Sequence, residues 1–149
     1  MIDNRMTRGA LALALGAGLL GVTAVEASTA ASATTPPLVC HKIYGHLNTA
    51  VVVAKCGVAQ NGAHFAGTDI LSGGTLTWGV SKATTSYTGV ATSPGQGTCI
   101  AGRVEYDFTG TITADTSGYV TVGDSVSYHV CINSTTQVVK LVNGTTGSF

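Results

Sequence analysis

Between Gly102 and Asp115 polar and apolar residues alternate almost without a break, and this period of two narrows the fold more than any other feature of the chain. Val104, Tyr106, Phe108, Ile112 and Ala114 share one face, with Gly110 in step; Arg103, Glu105, Asp107, Thr109, Thr111 and Thr113 share the other. A strand separates these sets into a buried side and a wet side. Gly110 marks a bend or bulge in it. A second alternating run, Asp124 to Asn133, places Val126, Tyr128, Val130 and Ile132 inside and Ser125, Ser127, His129 and Cys131 outside. Leu76, Trp78 and Val80 alternate with Thr75 and Thr77, which makes Trp78 a core residue. Thr84 to Thr92 and Gln137 to Val142 have the β-branched content of strands, and Val39–Tyr44 and Leu47–Cys56 read as a hairpin turning at Gly45-His46.

Turn residues punctuate these runs at Asn61-Gly62, Ser72-Gly73-Gly74, Ser93 to Gly97, Ser117-Gly118, Gly123-Asp124 and Asn143-Gly144. No segment after Thr34 keeps a helical period over three turns. The expectation is an all-β domain: a single β-sandwich of about seven short antiparallel strands, with a small β-barrel as the alternative.

The first 33 residues read differently. Arg5 and Arg8 precede an apolar run from Ala10 to Val25, and Ala31-Ser32-Ala33 has the small-residue pattern of a signal-peptide cleavage site, with a second candidate at Val25-Glu26-Ala27. Residues 1–33 are therefore expected to be a signal peptide, and residues 34–149 a secreted all-β domain with a short mobile N-terminal tail and no membrane span. All four cysteines, Cys40, Cys56, Cys99 and Cys131, fall in the second part, and an even count in an exported chain implies two disulfides. Cys99 and Cys131 share the outward parity of their strands, so they pair with each other, which leaves Cys40 to Cys56 across the first hairpin. The spacings fit no zinc finger or ribbon.

After residue 33 the chain holds five Lys/Arg and five Asp/Glu, and formal neutrality removes the argument for nucleic-acid or acidic-membrane binding. Twenty Thr and nine Ser fill the surface instead. The set His41, Asp107 and Ser125 follows the order of a protease triad, but order without geometry is weak and the chain is short for a two-barrel protease. His41, His46, His64 and His129 are scattered, with no paired metal-ligand spacing, so no metal or cofactor is expected. Glu105 and Asp107 lie about 7 Å apart on one strand face, a spacing common to any alternating strand. The sequons at Asn133 and Asn143 sit in turns. Cys56, Trp78 and Cys131 occur in immunoglobulin order, but Tyr128 stands three residues before Cys131, on the opposite face, rather than two.

The Ala-rich leader, Cys40 and Cys56 around an early hairpin, the run Gly74-Thr75-Leu76-Thr77-Trp78, and Cys99 and Cys131 in late strands resemble small secreted β-proteins of actinobacteria. The resemblance implies a secreted or cell-envelope setting in a bacterium and carries no functional residue. The function expected from the sequence is a non-catalytic extracellular module that binds a protein or glycan, with Arg103, Glu105 and Asp107 as the candidate binding residues. A secreted protease inhibitor, presenting the Ser93–Thr98 loop anchored by Cys99, is the alternative, and a small hydrolase the second.

Overall fold

A computed structural model of the chain describes residues 36–59 and 62–149. The expected signal peptide, its candidate cleavage sites and Asn61 of one expected turn lie outside the described residues. Among the described residues nine antiparallel strands follow one another: β1 (Val39–His46), β2 (Ala50–Cys56), β3 (Ala63–Ala66), β4 (Gly73–Trp78), β5 (Thr84–Gly95), β6 (Arg103–Asp115), β7 (Ser125–Asn133), β8 (Val138–Leu141) and β9 (Gly147–Ser148). Each strand from β1 to β7 pairs with the next, and β8 pairs back onto β1, so the sheet closes into an eight-position barrel. The eighth position is shared. β8 pairs with Tyr44–His46 of β1, β9 with Val39 and Cys40 farther along the same strand, and both also pair with β7. Residues 142–146 thus interrupt a single antiparallel partner and leave the ladder as a loop.

The all-β expectation holds, and of the two architectures it left open, sandwich and small barrel, the barrel is the one formed. Both put alternate residues on an inner face, and what separates them is the β1–β8 pairing, which no local pattern encodes. Closure also removes the unpaired edges that an open sheet would expose.

The interior is filled by side chains. Trp78, Tyr128, Phe108, Phe149, Ile43, Ile70, Leu76 and Ile112 are all fully buried or nearly so. Phe108 stacks on Tyr128 with ring centroids 4.6 Å apart, and Tyr128 on Phe149 at 5.9 Å, while Tyr87 meets Phe108 edge-on at 5.6 Å. A 3-10 turn, Gly67–Ile70, covers one end of the barrel, and its Ile70 carbonyl accepts a 2.9 Å hydrogen bond from the Tyr128 hydroxyl. Burial pushes the Tyr128 phenol pKa far up, with the neighbouring Tyr87 adding to the shift. Val126, Tyr128, Val130 and Ile132 all point inward, as the alternation of β7 predicts.

The two disulfides are Cys40–Cys56, buried in the core as a directly paired couple across β1 and β2, and Cys99–Cys131. Four local expectations change. The first hairpin turns at Leu47–Thr49, so Gly45 and His46 belong to β1. A Cβ on Gly45 would fall 2.2 Å from the Ala50 carbonyl oxygen, so glycine there marks a close strand approach and not a turn. Val80 lies beyond β4 and is 74% exposed. Gly110 stays in register opposite Gly89; the ladder shifts instead between Thr92 and Gly95 on β5 and again at Thr113, since Tyr87 pairs with Ile112 but Ser86 with Ala114.

That extra residue reverses the parity of the end of β6. Ala114 turns outward, and Asp115 turns toward Thr85, its partner on β5. The Trp78 indole donates to the Thr85 hydroxyl at 2.8 Å, and Thr85 in turn donates to the Asp115 carboxylate. Ser117 Oγ and the Gly118 amide also donate to Asp115, each at 2.7 Å. Burial acts to raise the Asp115 pKa, but these hydrogen bonds outweigh it and hold the carboxyl below its ordinary value.

Candidate functional site

The packed interior directs attention to the outer face, where β6, β7, β8 and β1 lie side by side. Rows of paired residues cross it: Glu105 faces Cys131, Cys131 faces Lys140, and Lys140 faces Tyr44. Arg103 faces Asn133, and Asp107 faces His129. Period-two alternation sends all of these side chains away from the core.

Two loops fold over this face. The one after β5 is pinned by the Cys99–Cys131 disulfide and by Glu105, whose Oε2 accepts the Thr98 amide at 2.6 Å and the Thr98 hydroxyl at 3.2 Å. Ser93 Oγ donates to the Glu105 carbonyl at 3.1 Å, and Gln96 Nε2 to the Cys99 carbonyl at 3.0 Å. A Cβ on Gly97 would stand 1.8 Å from Glu105 Oε2, and Gly97 has φ +54°, so glycine lets the backbone approach the carboxylate. The second loop, residues 142–146, returns Val142 against the disulfide, where Cys99, Cys131 and Val142 form a small buried cluster outside the barrel.

The three sequence-predicted residues thus separate into different roles. Glu105, expected on the solvated side, is only 8% exposed, because the Gln96–Cys99 segment covers it. Asp107 is held by His129, Nδ1 to Oδ1, at 2.7 Å, although His129 reads in the sequence as an isolated exposed histidine. Arg103 is half-buried and reaches a depression of about 180 Å³ shared with Thr98, Ile100, Lys140 and Asn143. The protease-like triad is not assembled. Ser125 pairs with Thr111, four residues along β6 from Asp107 or about 13 Å, and His41 sits on β1, with β7 and the β8–β9 segment between it and β6.

Glu105, Asp107 and His129 each place one donor atom within 4.8 Å of the others, the only such group among the described residues. Asp107 and His129 use theirs on each other, and Glu105 uses its own on Thr98. The trio therefore braces β6, β7 and the loop together.

Beyond the Cys99–Cys131 cluster a groove of about 450 Å³ runs between β1 and the 142–146 loop, lined by His41, Lys42, Tyr44, Lys140, Asn143 and Thr145 among others. Lys42 and Lys140 are diagonal neighbours across β1 and β8, with Cα atoms about 7–8 Å apart. Tyr44 stands beside them, 47% exposed. Among the described residues no carboxylate lines either depression. The only ion pair among the described residues is His129–Asp107, so Lys42, Lys140 and Arg103 have no described carboxylate within ion-pair distance. Sequence reading missed Lys42, Tyr44 and Lys140 because their proximity arises only when β8 closes onto β1.

Comparison with protein-family models, with curated proteins and with solved structures finds no match for this chain. Among the described residues no helix is long and apolar enough to cross a membrane. The barrel is apolar inside and rich in hydroxyl and charged groups outside, the reverse of the lipid-facing pattern of membrane barrels.

Proposed function

We propose that the chain is a secreted, non-catalytic module that binds an extracellular glycan or protein through the outer face of β6, β7, β8 and β1. One observation carries this reading: two loops are pinned onto that face, and grooves with exposed polar and cationic side chains lie between them and the strands. Pinning lowers the ordering entropy that a partner would otherwise have to offset on binding. The expected export signal and the two disulfides agree with an oxidising, extracellular setting, and the resemblance to secreted actinobacterial β-proteins supports a bacterial source. The test is binding of the folded domain to an array of polysaccharides and purified secreted proteins. Wild type should bind at least one member, and Lys140→Ala with Arg103→Ala should release it. Undiminished binding by that variant would move the site elsewhere.

A second reading, protease inhibition, is favoured by one feature. Pro94 to Thr98 is exposed yet held at both ends, by Ser93 on the Glu105 carbonyl and by Cys99 on Cys131, and Ile100 projects beside it at 68% exposure. Titration against a panel of extracellular serine proteases separates the two readings, and the absence of inhibition at micromolar protein eliminates this one.

A further inference from the structure

We infer that the groove between β1 and the 142–146 loop binds an acidic glycan, a saccharide chain bearing carboxylate groups; this rests on the binding-module reading above and names its ligand class. Lys42 and Lys140 line the groove, and Arg103 lies across the Lys140–Asn143 ridge that both depressions share. None of the three is neutralised by a described carboxylate within ion-pair distance. Glu105, two strands from Lys140 or about 10 Å, is committed to Thr98, and Asp107 to His129. The protein is neutral after residue 33, yet the groove itself is lined by Lys42 and Lys140 and by no described carboxylate. A ligand that complements it is anionic, with charges repeated along its length to meet Lys42, Lys140 and Arg103 in turn.

Two further features select a saccharide. The exposed Tyr44 ring beside the lysines offers an apolar face for the C–H side of a sugar and a hydroxyl for its polar edge. Asn143 and Thr145 supply amide and hydroxyl groups on the opposite wall, suited to neutral sugar hydroxyls. Three cations on a neutral domain fall short of the clustered charge that retains nucleic acid at physiological salt.

The experiment is calorimetric titration of the disulfide-intact domain with polygalacturonate at low and at about 0.5 M salt, with neutral dextran, a single-stranded oligonucleotide and anionic phosphatidylglycerol vesicles in parallel. Polygalacturonate should bind, salt should weaken it, and Lys42→Gln with Lys140→Gln should raise Kd about tenfold or more. Tyr44→Ala should weaken it too, while Lys82→Gln, which removes a charge in the turn between β4 and β5 and outside the groove lining, should leave Kd within about twofold. Unchanged thermal melts establish that the variants are folded. The inference is overturned if polygalacturonate does not bind, if Lys82→Gln loses as much affinity as the Lys42/Lys140 variant, or if the oligonucleotide or the vesicles bind more tightly. If dextran or a secreted protein binds instead and is released by the groove variant, the acidic specificity fails while the module reading stands. If no member of the polysaccharide and protein array binds wild type, the module reading fails as well.

Discussion

At the scale of single residues the least replaceable polar group inside the barrel is Thr85. It is fully buried, accepts the Trp78 indole proton and donates to Asp115. Thr85→Val keeps the shape but leaves the indole N–H without its acceptor, and we expect a loss of about 1–3 kcal/mol in denaturant unfolding. In a double-mutant cycle Trp78→Phe should then cost less in the Thr85→Val background than in wild type, since the donor is already orphaned. Asp115 gives the same network a pH dependence. Its pKa is lowered in the folded state, so its contribution is present above the unfolded value, about 3.9, and is lost as pH falls through the lower folded value. Thermal melts of wild type should therefore fall more steeply below about pH 4 than those of Asp115→Asn. Parallel curves would mean that the network does not depend on the charge.

Among the elements, β6 shows how far alternation carries and where it stops. Period two correctly places Phe108 and Ile112 in the core, and it gives the inward face of β7, although Cys131 on the outer side is buried against Cys99 and Val142. It errs at Ala114 because one bulged residue inverts everything beyond it, and a bulge has no periodic signature. It errs at Glu105 for another reason: the residue does point outward, but a loop later covers it, and burial by a loop is a tertiary event. Gly110 was legible as special but not in its role. It faces Gly89, and a Cβ on it would lie 2.3 Å from the Thr88 carbonyl oxygen and 2.8 Å from the Phe108 ring. The two glycines let that ring lie flat against the strands. Gly110→Ala must displace backbone or ring, and we expect it to destabilise by about 1–3 kcal/mol, as overpacking does. Gly110→Ala melting with wild type would show that the β5–β6 pair can spread at no cost.

For the whole molecule the decisive contact is the one that joins the two ends of the strand order. An alternating strand is equally at home in a sandwich and in a barrel, so the sequence read inside from outside without revealing closure, and the groove that depends on closure stayed hidden with it. The expected disulfide pairing is the one formed, but its premise holds only for Cys131: Cys99 lies in the β5–β6 loop, has no strand parity, and reaches Cys131 because that loop folds over the outer face. Closure itself is held by β8 and β9 against β1, and Phe149 secures it from within. Its ring is fully buried against Tyr128 and Tyr87, and its backbone exchanges hydrogen bonds of 2.8 and 3.0 Å with Leu38. Phe149→Ala removes the ring but leaves those backbone bonds available, so it isolates the packing contribution to closure. We expect a cost of about 3–5 kcal/mol, the range for deleting a buried aromatic side chain. Hydrogen exchange should locate the damage at β9 and the first residues of β1, with the amides of β5–β6 retaining more of their protection, because these are the two longest strands and neither borders the seam. Uniform loss of protection in all eight positions would instead mean that the barrel opens only as a unit, and that no seam exists between β1 and β8–β9.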